Sequence, residues 1–92
     1  MDDTAKRILL QSGNVLELMQ LPTLTLGHKR QLFKQYGVDV GKMSQLTPEE
    51  EFHFVLYFAR LLLPDTTETE IEALSINQTT EIVLAVLDSA KR

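Results

Sequence analysis

The densest cluster of residues that could do chemistry is the acidic run Glu49, Glu50 and Glu51, with His53 close behind it. On a helix, Glu49 and His53 would stand one turn apart, and carboxylates and imidazole both bind divalent ions. However, acidic side chains in a first helical turn are favoured by the helix dipole and by capping, which accounts for all three glutamates without a ligand. We therefore expect a helix start here and no metal site.

Nucleophilic catalysis has little support in the sequence. The chain has no cysteine, and only His28 and His53 could act as histidine bases, of which His28 is expected to be an exposed helix residue. The serines fall in turn or terminal contexts: Ser12, Ser44, Ser75 and Ser89. The glycines are isolated, so they form no phosphate-binding or dinucleotide motif. We expect a protein that is not an enzyme and that has no catalytic or cofactor-binding residues.

The composition is typical of one soluble globular domain spanning residues 1–92. Hydrophobic residues make up 43% and charged residues 24% of the 92 residues. A domain of this size buries only about 60–65% of the surface that its unfolded chain exposes. A small core without disulfides is often completed by self-association or by a partner, so we expect a protein complex or a homo-oligomer.

Charge and apolar runs predict where the protein acts. The start, Met1-Asp2-Asp3, is acidic and has no charged-then-apolar leader, and the longest apolar run is far shorter than the roughly 20 residues that span a bilayer. These features predict an intracellular protein that does not enter a membrane. The net charge is −4 and the nine basic residues are scattered, which argues against a nucleic-acid partner.

A helix-turn-helix DNA reader is the main rival to a protein-binding function. Residues 26–36 are expected to form a helix that carries His28, Lys29, Arg30 and Lys34, and a second helix follows. The stretch 37–47 is much longer than the turn of that motif, and the following helix opens with glutamates that would repel phosphate. The spacing and the glutamates therefore argue against a helix-turn-helix DNA-binding protein.

Two interpretations of the first twenty residues remain open. Ser12-Gly13-Asn14 has turn chemistry, and residues 7–11 and 15–19 could pair as a β-hairpin around it. Alternatively, the segment is one amphipathic helix, although Gly13 and Asn14 in mid-helix would cost up to about 1.5 kcal/mol together. The hairpin is favoured, so residues 1–24 are expected to be an extended or hairpin segment and a linker.

Residues 25–91 are expected to form a small bundle of about four helices, so the fold class is mainly α. Thr25 can cap a first helix, which Gly37 ends by taking the left-handed conformation. Its apolar contributors are expected to be Leu26, Leu32, Phe33 and Tyr36. Thr67 with Glu70 has capping-box spacing before a short helix. Asn77 is expected to cap a last helix over residues 78–90, whose buried face is Ile82, Val83, Val86, Leu87 and Ala90.

The clearest signal is Thr47-Pro48-Glu49-Glu50, a capping box with proline at the first helical position, which predicts a helix over residues 48–63. Its broad core side is Phe52, Val55, Leu56, Ala59, Leu62 and Leu63. The candidate partner-binding residues, which lie off that side, are Phe54, Tyr57, Phe58 and Leu61. A helix that is apolar nearly all round is either the hub of the domain or half core and half interface, and the sequence leaves both open.

The order of these features resembles small tail assembly chaperones of long-tailed bacteriophages. The resemblance begins with the phrase Leu21-Pro22-Thr23-Leu24-Thr25-Leu26-Gly27 and continues through Tyr36-Gly37-Val38-Asp39 and Leu46-Thr47-Pro48-Glu49-Glu50. It extends through Leu63-Pro64-Asp65, Thr67, Glu70 and Leu74, and covers roughly residues 15–90.

This resemblance implies a non-enzymatic protein that binds the phage tape-measure protein or another tail protein and keeps apolar helical segments soluble. It would act in the cytoplasm of the bacterial host and be absent from the mature virion. The alternative is a small helical adaptor or regulator that binds host proteins or DNA. Gene neighbourhood would separate the two hypotheses.

Overall fold

The computed structural model describes residues 7–40 and 46–90, with side chains through Leu87. The chain begins with strands β1 (Arg7–Leu9) and β2 (Val15–Glu17) and a short 3-10 turn (Leu18–Gln20). Four helices follow: α1 (Leu26–Tyr36), α2 (Pro48–Leu62), α3 (Glu68–Glu72) and α4 (Ile76–Ala90). The described residues therefore confirm the predicted fold class, a mainly helical bundle with an N-terminal hairpin.

The N-terminal segment is the favoured hairpin and not the alternative helix. Strands β1 and β2 are antiparallel, and Ile8 lies opposite Leu16 with both side chains fully buried. The turn is closed by the Leu10 amide donating to the Asn14 carbonyl at 2.8 Å, and Gly13 has a φ of 97°. Only glycine adopts this conformation without strain, so the turn sequence selects the hairpin. Met19, expected in the second strand, belongs to the 3-10 turn.

Each predicted helix start at Thr25, Thr47 and Thr67 is confirmed by a reciprocal capping box. The predicted start of α4 was wrong, because the helix begins at Ile76 and Ser75 caps it in place of Asn77. The Ser75 hydroxyl accepts from the Gln78 amide at 3.1 Å, and the Gln78 side chain accepts from the Ser75 amide at 3.0 Å. Gln78 lies three residues after Ser75, so this pair satisfies two amides at once.

Gly37 ends α1 in the left-handed conformation, with a φ of 70°, as predicted. The Gly37 amide donates to the Phe33 carbonyl at 2.9 Å and the Val38 amide donates to the Leu32 carbonyl at 3.3 Å. These two bonds satisfy carbonyls at the end of the helix and turn Val38 back into the core, where it is fully buried.

Helix α2 is the hub of the described fold, because α1, α3 and α4 all pack against it. The fully buried residues of α2 are Phe54, Val55, Leu56, Phe58 and Ala59. The hairpin and the 3-10 turn supply Ile8, Leu10, Leu16 and Leu18, while α4 supplies Ile82 and Val86. Val83 and Leu87 are half-buried, and the side chain of Ala90 lies outside the described residues. One core therefore joins the hairpin to the helices.

The buried face of α1 differs from the sequence prediction. Leu32 is fully buried and Tyr36 is half-buried, as expected, but Leu26 and Phe33 are 72% and 63% exposed. At about 100° per residue, Leu26 and Phe33 lie on one line of the helix, while Leu32 and Tyr36 lie on another. Only the second line faces α2, so α1 keeps two large apolar side chains outside the core.

Candidate protein-binding surface

The four candidate residues of α2 do not form one exposed surface. Phe54 and Phe58 have no exposed area, Tyr57 is half-buried and Leu61 is 43% exposed. The rings of Phe54 and Phe58 pack with centroids 4.9 Å apart, and Tyr57 meets Phe58 edge to face at 5.2 Å. Phe54 and Phe58 therefore lie in the core of the single chain, which is one of the two interpretations that the sequence left open.

His28 is half-buried and not the exposed residue that the sequence suggested. Its Nδ1 accepts a hydrogen bond from the Thr25 amide at 3.1 Å, and its own amide donates to Thr25 Oγ1 at 3.2 Å. Its ring lies edge to face against Tyr57 and Phe58, at centroid distances of 6.0 and 5.3 Å. The imidazole thus joins the α1 cap to the aromatic cluster of α2.

Burial raises the pKa of the Tyr57 phenol, and the neighbouring Tyr36 adds to this rise. A low-dielectric environment disfavours the phenolate, and so does a second phenolate nearby. Tyr57 therefore stays neutral at physiological pH. Its contribution to this region is an aromatic face and a hydroxyl group, not a charge.

The acidic cluster at the start of α2 is explained by contacts within the chain. His53 Nε2 lies 3.5 Å from Glu49 Oε2, and the His53 ring stacks on Tyr36 at 4.8 Å with planes inclined by 13°. Glu50 accepts from the Thr47 amide at 3.0 Å in the capping box. Within residues 7–40 and 46–90, the structure contains no group of three His, Cys, Asp or Glu residues that could hold a metal ion.

Glu70 is the charged side chain most deeply built into the described fold, with 6% of its surface exposed. Its Oε2 accepts from the Ser12 amide at 2.9 Å, and its Oε1 accepts from the Thr67 amide at 3.0 Å. Hydrogen bonds from the Ser12 hydroxyl, then from the Thr67 and Ser12 amides, lower the pKa of this carboxyl. Because every partner is a donor, these bonds favour the ionised carboxylate, which links the hairpin turn to α3.

Exposed large apolar side chains are the feature that the core does not explain. In the described part of the chain they are Leu9, Val15, Met19, Leu26, Phe33, Leu61, Ile76 and Leu84. Single exposed hydrophobics are normal on protein surfaces, so grouping decides whether they matter. Leu9 and Val15 lie opposite each other in the hairpin, and Leu26 and Phe33 lie two turns apart on α1.

A groove of about 400 Å³ runs beside α1. Lys29, Arg30, Phe33 and Lys34 form one wall, and residues 38–40 form the other. We call it the basic groove, because the described residues that line it include three cations and one acidic residue, Asp39. Sequence reasoning missed it by assigning Leu26 and Phe33 to the core. Their seven-residue spacing, on a different line from Leu32 and Tyr36, was the signal that could have revealed it.

A second, smaller groove of about 200 Å³ lies where the start of α2 meets α3 and the start of α4. Its apolar lining includes Phe52, Ile71 and Leu74, and Glu51 and Glu72 lie at its edge. Ile76, which is 82% exposed, completes one side. Both grooves therefore combine apolar side chains with charged ones. The charges are mainly positive in the basic groove and negative in the second groove.

No family model, no curated protein and no solved structure matches this chain. Among the helices of the described residues, none has both the length and the apolar character needed to cross a membrane.

Proposed function

We propose that this protein is a non-enzymatic assembly chaperone of a long-tailed bacteriophage that binds apolar helical segments of the tape-measure protein or another tail protein. The observation that carries the proposal is the set of large apolar side chains left outside the core, among them Leu26 on α1 and Phe33, which lines the basic groove. Grooves that hold an amphipathic helix use large apolar anchors of this kind.

The identity of the partner rests on the order of motifs along the chain. Leu21-Pro22-Thr23-Leu24-Thr25 before α1 and Leu63-Pro64-Asp65 after α2 resemble phrases of small phage tail assembly chaperones. A chaperone of this class acts in the host cytoplasm while the tail is built and does not remain in the virion. The proposal therefore includes both a location and a transient mode of binding.

Co-expression tests this function directly. The tape-measure protein of the same phage is produced in bacteria alone, with this protein, or with an unrelated small helical protein. We expect this protein alone to raise the soluble fraction of the tape-measure protein, because its apolar surface covers helical segments that otherwise aggregate. An unchanged soluble fraction would contradict the chaperone proposal, and an equal effect on an unrelated aggregating protein would contradict its specificity.

Self-association is part of the same proposal. Leu9 and Val15 are 68% and 41% exposed and lie side by side on the outer face of the hairpin. Pairing of this face between copies would cover them, and a small core often gains stability in this way. Light scattering across a range of concentrations should give a mass above that of one chain, and Leu9→Ser should lower it. A single-chain mass at every concentration would rule self-association out.

A further inference from the structure

We propose that the basic groove, together with the exposed Leu26 on the same helix, binds an acidic amphipathic helix, whose apolar residues contact Leu26 and Phe33 and whose carboxylates pair with Lys29, Arg30 and Lys34. This inference rests on the proposed function in taking the ligand to be a protein segment. It adds the place of binding and the chemistry of the segment that binds there.

The geometry of α1 defines two apolar anchors. Leu26 and Phe33 are seven residues apart, which places them about 10 Å from each other along one line of the helix. Leu32 is fully buried on the other line, so packing against α2 holds α1 with Leu26 and Phe33 directed to solvent. Two apolar residues at the same spacing on a partner helix would match these anchors.

The charges around the anchors select the sign of the partner. Arg30 follows Leu26 by one turn and lies about 40° round the helix from it, and Lys29 and Lys34 lie on opposite sides of the line from Leu26 to Phe33. All three cations are exposed, and α1 contains no acidic residue, although the whole chain has a net charge of −4. A local cationic surface attracts an anionic segment, so it gives both speed and specificity of binding.

A nucleic acid is the other anionic partner, and the groove fits it less well. Leu26 and Phe33 would bring two desolvated apolar groups to a phosphate backbone, which needs cations and hydrogen-bond donors. The chain as a whole would repel such a polyanion. An amphipathic peptide uses the apolar anchors and the cations together, so the groove favours a protein helix.

The test uses two labelled synthetic peptides of about 20 residues, long enough to form a helix on binding. Both carry leucines seven positions apart. One has glutamates on either side of them and the other has glutamines at the same positions. Fluorescence anisotropy with the full chain should show at least about tenfold tighter binding of the glutamate peptide, with an affinity that falls as salt rises. Equal affinities would overturn the proposal.

Variants locate the binding. Phe33→Ser should lower the affinity for the glutamate peptide by about tenfold, as expected for the loss of an aromatic anchor. Lys29→Glu combined with Lys34→Glu should weaken it by a similar factor and abolish its preference over the glutamine peptide. Leu84→Ser, an exposed residue on α4 outside the groove lining, is the matched control and should bind normally. Unchanged binding by the α1 variants, with native circular dichroism spectra, would overturn the proposal.

Two further results separate this inference from the proposed function. Tighter binding of a single-stranded DNA than of the glutamate peptide would overturn the helix as ligand. If the wild-type chain keeps the tape-measure protein soluble while the two peptides bind equally, the groove proposal fails and the chaperone proposal stands. If the glutamate peptide binds as described but the tape-measure protein stays insoluble, the chaperone proposal fails and the groove proposal stands.

Discussion

At the scale of single residues, Phe58 of α2 is buried whereas the neighbouring Leu61 is exposed. Phe58 is fully buried and contacts Phe54, Tyr57 and His28. Phe58→Ala should destabilise the fold by about 3–5 kcal/mol, because it removes buried apolar area and leaves a cavity. Urea unfolding measures this loss. The exposed Leu61 is the control, and Leu61→Ala should change the free energy of unfolding by less than about 1 kcal/mol.

The same pair of variants decides between the core and interface interpretations of Phe58. Similar stabilities of the Phe58→Ala and Leu61→Ala variants would mean that Phe58 does not lie in the core, and would restore the sequence hypothesis of a binding face there. A large loss for Phe58→Ala alone would place the binding surface elsewhere on the molecule, as the exposed residues of α1 already indicate.

Glu70 makes stability depend on pH in a defined direction. Hydrogen bonds from Ser12 and Thr67 lower its pKa in the folded state below its ordinary value of 4.5. The unfolded chain therefore binds the proton more readily, so the contribution of Glu70 is complete above the ordinary value and is lost as pH falls through the lowered one. Glu70→Gln should reduce stability at neutral pH, and the difference from wild type should shrink as the medium becomes acidic.

Urea unfolding from about pH 7 to about pH 3 measures this difference. Glu72→Gln is the control, because Glu72 lies on the same helix and is exposed. If Glu72→Gln showed the same pH-dependent difference from wild type, general charge effects of α3 would explain it and Glu70 would have no special role.

At the scale of elements, replacing Gly27 in α1 and Gly37 at its end by alanine should change the stability of the protein in opposite directions. Gly37 has a φ of 70°, so Gly37→Ala should cost about 1 kcal/mol even though its Cβ would meet open space. Gly27 lies in the first turn, and its Cβ would lie 3.6 Å from Thr25 Oγ1, an ordinary contact. Gly27→Ala should therefore stabilise the protein, by up to about 1 kcal/mol.

Thermal unfolding of the two variants checks this contrast. A stabilising Gly37→Ala would contradict the left-handed end of α1. A destabilising Gly27→Ala would mean that the first turn of α1 is not helical or that its surface is covered.

Helix boundaries were largely predictable because capping is a local property of the sequence. Thr47 with Glu50 and Thr67 with Glu70 satisfy amides within a few residues, so their spacing alone predicts the helix starts. The cap of α4 was missed because Asn77 is also a good capping residue, although only Ser75 has the reciprocal Gln78. Turn chemistry at Gly13 likewise favoured the hairpin that the structure contains.

The orientation of each helix was less predictable, because it depends on residues distant in the chain. An α2 that is apolar nearly all round does not reveal how many neighbours surround it, and the structure places three helices there. Phe54 and Phe58 were therefore candidates for either the core or an interface, and within the single chain both are buried. Leu26 and Phe33 were assigned to the core because their apolar character was weighed without their angular position on α1.

At the scale of the whole molecule, the hairpin should unfold together with the helices. Leu16 is fully buried in the same core as α2 and α4. Leu16→Ala should therefore lower the stability of the helices by about 2–5 kcal/mol, although it lies in a strand. Leu9→Ala is the control, because Leu9 is exposed on the adjacent strand.

Two observables measured on the same samples check this prediction. Helix content comes from far-UV circular dichroism, and hairpin structure comes from the amide signals of residues 7–17. Coincident urea transitions would indicate one cooperative unit. Separate transitions, with helix stability unchanged by Leu16→Ala, would show that the hairpin is an independent attachment.

The bond from the Ser12 amide to Glu70 Oε2 joins residues that are 58 positions apart in the chain. An amide proton that donates to a carboxylate changes its magnetic environment when the carboxylate gains a proton. The Ser12 cross-peak in a proton–nitrogen spectrum should therefore move as Glu70 titrates, while exposed amides of the same turn stay in place. This signal would report the docking of the hairpin on α3 without any substitution in the chain.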